Sequence, residues 1–214
     1  MYKRGTNIIS HFNEHATIYI FMIILFLTGI IFGAILVNSM SFAQKQDLIF
    51  YLERFFGRIS NEQSIDKVTI LKDSFLYHIK FLLILFLLGL SVIGLPVVWV
   101  LLFIKGLVVG FTVGFMVNQL QFQGFLLATV SIAPQNIVII PIYIIAGSLS
   151  MIFSISLLNK LFTRKISQTT LQPFAMYISA FLVLIAFSLS AALIEAYVAN
   201  EAMEAMIRSV YSEE

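Results

Sequence analysis

Apolar runs of spanning length, separated by short polar ones, dominate the chain. The pattern centres on residues 81–119, interrupted by Gly94-Leu95-Pro96 and by a single charge, Lys105. As one straight helix this stretch would be about 58 Å long at 1.5 Å per residue. A bilayer core is about 30 Å thick, so the stretch predicts two spans. Gly94 and Pro96 supply the break, because glycine frees the backbone and proline removes a donor and clashes with the preceding turn. The same reading along the chain predicts five spans, at residues 17–37, 74–93, 97–119, 137–159 and 174–193. The predicted fold is all-α, a polytopic membrane bundle forming a single integral-membrane domain over residues 1–214.

Three predicted spans carry small residues on one face. Gly29 and Gly33 form a small-xxx-small pair in the first. Gly106, Gly110 and Gly114 recur every four residues in the third, and Ala175, Ser179, Ala186 and Ser190 form a face in the fifth. Such faces let two helix backbones approach closely.

Residues 38–72 are the one sizeable polar insertion. Within it Leu48, Leu52, Phe55, Phe56 and Ile59 recur at helical spacing, with Asp47, Arg54 and Arg58 opposite, and Gly57 near the end. This predicts an amphipathic helix. It either lies on lipid or its own spans, or presents Leu52, Phe55, Phe56 and Ile59 to a partner. Residues 118–124 read as an outer loop and 125–132 as a re-entrant or interfacial piece. A helix break is then expected at Pro134-Gln135-Asn136, followed by Pro141. Irregular backbone at membrane depth is tolerated only where protein or water covers it, which makes this break a candidate site. The plain alternative is a kinked spanning helix.

Composition agrees with a membrane class: 60% of residues are apolar and 11% charged, against about 45–50% and about 25% in soluble domains. A net charge of +2 is too small to suggest nucleic acid. The basic residues speak instead to orientation. Lys3 and Arg4 at one end, and Lys160, Arg164 and Lys165 between the last two spans, predict a cytoplasmic N-terminus and loop. The insertion and the acidic segment 195–214 then lie outside. The first apolar run is too long for a signal-peptide core and lacks a cleavage site, so it reads as a span. The absence of cysteine excludes disulfides and thiolate metal sites.

Chemistry is sparse. The predicted spans hold no Asp or Glu, and no cofactor-binding or metal-binding set is evident. His11-Phe-Asn-Glu14-His15 matches H-x-x-E-H, a zinc-protease pattern. It needs a third ligand, and the only other histidine, His78, is expected across the membrane near an outer helix end. The plain reading is a juxtamembrane helix end. Lys105, about two turns inside its span, costs roughly 2.5–3.5 kcal/mol at mid-bilayer on insertion scales. Either it snorkels toward cytoplasmic water or it faces a specific partner or cavity. General acid–base catalysis has too few groups to work with.

The apolar arm, Gly94-Leu95-Pro96, then Lys105-Gly106-x-x-x-Gly110, then Pro134 with polar residues, resembles the stage II sporulation protein M family over essentially the whole chain. Two positions depart from that family's pattern. Lys105 stands where asparagine is usual, and Gln135-Asn136 replaces histidine-glycine with no glutamate after it. The resemblance implies a non-enzymatic scaffold in the mother-cell membrane of an endospore-forming bacterium. It would hold stage II sporulation proteins D and P, which cut peptidoglycan, at the septum during engulfment. Membrane lipids are the other expected partners, together with further copies of the chain. The rival reading is a transporter or permease subunit using the Pro134–Pro141 segment and Lys105.

Overall fold

The computed structural model describes residues 12–60, 66–163, 171–203 and 205. It gives no account of the side chains of Glu53, residues 55–60, 161–163 and Leu171. Six helices follow one another: α1 Ala16–Ser39, α2 Phe42–Ser60, α3 Lys67–Gly89, α4 Gly94–Ser131, α5 Ala133–Thr163 and α6 Leu171–Ile194. A π-helical turn, Glu195–Ala199, prolongs α6. Among the described residues there is no strand, and the chain is a polytopic helical membrane bundle. Four stretches are long and apolar enough to cross a membrane: Ala16–Ser39, Gly94–Ser131, Ala133–Lys160 and Gln172–Met203. The second expected span, 74–93, overlaps α3, which carries Lys67, Lys72, Asp73 and Lys80 but packs in the same bundle, against α5 and α6.

Each spanning helix buries one stripe and leaves apolar side chains outward. In α1 the buried stripe is Tyr19, Met22, Phe26, Gly29, Gly33 and Val37, while Ile20, Ile24, Leu27 and Ile31 face out. Outward apolar residues are what lipid requires, and close packing then depends on small residues. α1 runs parallel to α4 along most of its length. A Cβ on Gly29 or Gly33 would overlap the carbonyls of Phe103 or Leu107, and one on Gly106 or Gly110 those of Phe26 or Ile30. A Cβ on Gly114 would lie 3.1 Å from Ala34 Cα.

α5 is the central helix, touching α1, α3, α4 and α6. Around it Leu82 and Leu85 of α3, Val98 and Leu102 of α4, and Tyr177 and Phe181 of α6 close the core. Tyr177 stacks on Phe86 and Phe153 and donates to the Phe86 carbonyl at 3.0 Å. The Ser154 hydroxyl donates to the Ser91 carbonyl at 2.9 Å. The first serves a carbonyl in the last turn of α3, where the helix ladder leaves acceptors unpaired, and the second adds a donor to a turn carbonyl that also accepts from the Gly94 N–H.

Four expectations are corrected. The break near Gly94 lies at residues 90–93, and Gly94 and Pro96 begin α4. Proline is tolerated in a first turn because its missing N–H has no intrahelical partner there. For the same reason Pro134 opens α5 rather than breaking it, and α5 runs unbroken through Pro141. Residues 118–124 are not a loop. They hold a sharp turn at a single residue, Gln121 at φ 51°, which divides α4 into two helical arms, and the second arm, residues 122–131, folds back so that Leu127 meets Met116 and Leu120. Finally, the Ser179 and Ala186 face of α6 is exposed. α6 turns Tyr177, Phe181, Leu184 and Ser188 inward instead, because its aromatics fill the space against α3 and α5.

Candidate functional site

A cavity of about 410 Å³ opens between α3, α4, α5 and the π-helical turn. Helical spacing places Ser74, Tyr77 and His78 on one side of α3, and Lys105 reaches the same space from α4. Gln135 and Asn136 enter from the first turn of α5, and Tyr143 from two turns further on. Glu195, the first residue of the π-helical turn, completes the wall. Single π-helical turns inside α-helices occur frequently at functional sites.

Two polar systems share the cavity. In the first, the Tyr143 hydroxyl lies 2.7 Å from His78 Nδ1. Ser74 Oγ lies 3.3 Å from His78 Nε2 and donates to Glu195 Oε2. Tyr143, His78, Ser74 and Glu195 thus form a continuous hydrogen-bonded row from the core outward. In the second, Lys105 Nζ donates to the Tyr77 hydroxyl. Its ammonium lies 4.0 Å from the Tyr77 ring centre, 4.4 Å from Phe81 and 5.2 Å from Tyr143. Three rings around one ammonium offset much of its desolvation through their quadrupoles. Lys105 and Glu195 are not within ion-pair distance of each other.

Of the residues singled out from sequence, Lys105, Gln135 and Asn136 meet in this cavity. Lys105 faces the cavity rather than running along an apolar surface. Asn136 spends its amide on the Ile132 carbonyl, at 2.7 Å, where the chain enters α5. Pro141 lies outside the cavity, on an adjoining groove. The five glycines form the α1–α4 crossing, away from the polar groups. His78 is buried at 5% exposure in the core rather than placed at a helix mouth. Glu195, expected in an outer tail, is inside the bundle. The signal for it is present in the sequence, since the apolar run continues past it through Ala196 and Val198.

α2 starts with a reciprocal cap. Ser41 N–H donates to Gln44 Oε1 at 2.9 Å, and Gln44 N–H to Ser41 Oγ at 3.4 Å, the capping-box arrangement. The helix touches the bundle through Lys45, bonded to Asn118 at 3.1 Å, and through Leu52, which packs on the cluster around Leu127. Leu52 is therefore turned toward the chain itself. The side chains of Phe55, Phe56 and Ile59 lie outside the described residues, as do His11, Arg164, Lys165 and half of the acidic segment. Phe42, Phe50 and Tyr51 project outward at 76%, 51% and 68% exposure.

A family model described as Stage II sporulation protein M matches residues 22–200. No curated protein and no solved structure matches.

Proposed function

The chain belongs to the stage II sporulation protein M family, and on that premise we propose that it is a non-enzymatic membrane scaffold of engulfment. In this reading it sits in the mother-cell membrane at the septum and holds peptidoglycan-degrading partners, stage II sporulation proteins D and P, against the wall. The supporting observation is α2. This capped helix presents Phe42, Phe50 and Tyr51 to its surroundings and spends few side chains on its own bundle. Exposed aromatics on a preformed helix are the usual anchors of helix-mediated docking. The transporter alternative relied on a broken helix between Pro134 and Pro141, and α5 is continuous there.

Affinity purification from sporulating cells tests the proposal. The unaltered protein should bring the hydrolases with it. Phe50→Asp with Tyr51→Asp should reduce their recovery roughly thirtyfold, the effect of losing about 2 kcal/mol at an anchor, while leaving membrane insertion intact. Undiminished recovery from the double variant would remove α2 as the docking surface. No recovery with the unaltered protein would end the scaffold reading.

A further inference from the structure

α3 crosses the bundle without being apolar enough to do so unaided. α1 and α4 run parallel, with Gly29 against residues 103–107 and Gly33 against residues 107–111. α3 connects the far end of the first to the near end of the second, so it traverses the bundle in the opposite direction. Yet it is not among the four stretches suited to cross a membrane. Lys72, Asp73 and Lys80 set it apart, and all three are exposed. Its buried side, with Ser74, His78, Leu82 and Leu85, is spent on α5 and α6.

The exposed side has an order of its own. Thr69, Asp73, Leu76, Lys80, Leu83 and Leu87 are all exposed, and they recur at alternating steps of four and three residues. That is the heptad spacing of a seam that packs on one other helix, a crossing common in membrane bundles. Lys80 lies between the rungs where His78 meets Tyr143 and Leu85 meets Ser150. It stands about 14 Å from the end of α3, near the middle of a core about 30 Å thick. Asp73 stands about 24 Å from that end. Snorkelling serves lysines near helix ends, and Lys80 is not one. Among the described residues neither Lys80 nor Asp73 has an ion-pair partner.

We propose that this seam of α3 is the docking face for one spanning helix of a different membrane protein. That helix carries a carboxylate level with Lys80 and a basic side chain one heptad, about 10 Å, nearer the α2 end, opposite Asp73. Intramembrane charges pair with one another because hydrocarbon solvates neither sign, so charge complementarity names the occupant. A second copy of the chain does not fit. Copies share one orientation in the membrane, so two α3 helices meeting about a two-fold axis would lie parallel. Lys80 would then face Lys80 and Asp73 face Asp73, the repulsive arrangement by which helix seams reject wrong partners. Lipid tails leave both charges unpaired. The seam is separate from α2, and the proposal does not depend on which partner α2 holds.

Energy transfer in lipid vesicles tests this on the full-length protein, dye-labelled through Gln44→Cys. The probes are designed single-span helices with a leucine seam of the same heptad spacing. One carries Glu at mid-span and Lys one heptad nearer the α2 side, and the control has leucine at both positions. The charged probe should bind at least about tenfold tighter than the control. Lys80→Leu should erase that preference, and Lys80→Glu should shift it to a probe with lysine at both positions. If Lys80→Glu does not insert, Lys80→Leu, which makes α3 more apolar, carries the test. Leu83→Cys, within the seam, should form no disulfide between copies in vesicles without probe. Equal binding of the charged and leucine probes, no binding of the charged probe, an unchanged preference in folded Lys80→Leu, or ready crosslinking of Leu83→Cys copies would each overturn the proposal.

Discussion

At the scale of single residues, the glycines and Glu195 make opposite points about what a sequence discloses. Gly29, Gly33, Gly106 and Gly110 are spaced for close approach, and their partner is a carbonyl on the facing helix in every case. Spacing alone names the face, but not which helix meets it, because any small-residue face can pair with any other. The Ser179 and Ala186 face shows the cost of that ambiguity: it has similar spacing and lies exposed. Position along the crossing also grades the glycines. Gly110→Val should destabilise by about 1–3 kcal/mol, since its Cβ meets the Ile30 carbonyl and neither backbone can yield without moving a helix. Gly114→Ala meets Ala34 Cα at 3.1 Å and asks for a shift of tenths of an ångström, so its unfolding midpoint in detergent should stay close to that of the unaltered protein. Equal losses for both would mean that the crossing is looser than described. Glu195 was hidden for a different reason. A carboxylate at the end of an apolar run reads as the start of a polar tail unless the run is followed beyond it, and only the fold supplies Ser74 as the donor that lets it stay.

At the scale of elements, length and hydrophobicity were enough to place the spanning helices, and their ends were less legible. Prolines explain much of this. Pro96 and Pro134 read as breakers, yet both stand in first turns, where a breaker and a starter look the same in sequence. The true interruption of α4 has no proline or glycine at all. Gln121 adopts φ 51° and ψ −125°, a region that L side chains rarely enter and that costs of order 1–3 kcal/mol. The polar run 118–123 and Gly124 mark the neighbourhood in sequence, since a Cβ on Gly124 would overlap the Met116 carbonyl, but packing of Leu127 on Met116 and Leu120 is what sets the bend at Gln121. Relief of that cost is measurable. Gln121→Gly should raise the unfolding midpoint, and Gln121→Val should lower it, since a β-branched side chain tolerates positive φ least. If glycine lowers the midpoint, residues 122–131 are not folded back at this position.

At the scale of the whole molecule, the contacts sort the helix ends into two groups, and charge then orients them. One end gathers α2, the bend at Gln121 and the start of α3. Lys45 reaches Asn118, Asn118 reaches Asn38, and Lys67 pairs with Glu201 there. The other end gathers the start of α1, the turn at residues 90–93 and the C-terminal part of α5. Phe21 meets Trp99 and Ser154 bonds Ser91 there, while Phe153 faces Phe174 at the start of α6. Lys3, Arg4, Lys160, Arg164 and Lys165 all belong by sequence to this second group. The expectation from the positive-inside rule, resting on these residues close to the span ends, is that the second end faces the cytoplasm. The chain contains no cysteine, so single introduced thiols report sidedness without background. Gln44→Cys and Tyr51→Cys should react with a membrane-impermeant maleimide on intact cells, and Asn159→Cys only after permeabilisation. The reverse pattern would put α2 in the cytosol, where no wall-cutting partner could reach it, and would also move the Lys105–Glu195 cavity to the opposite leaflet.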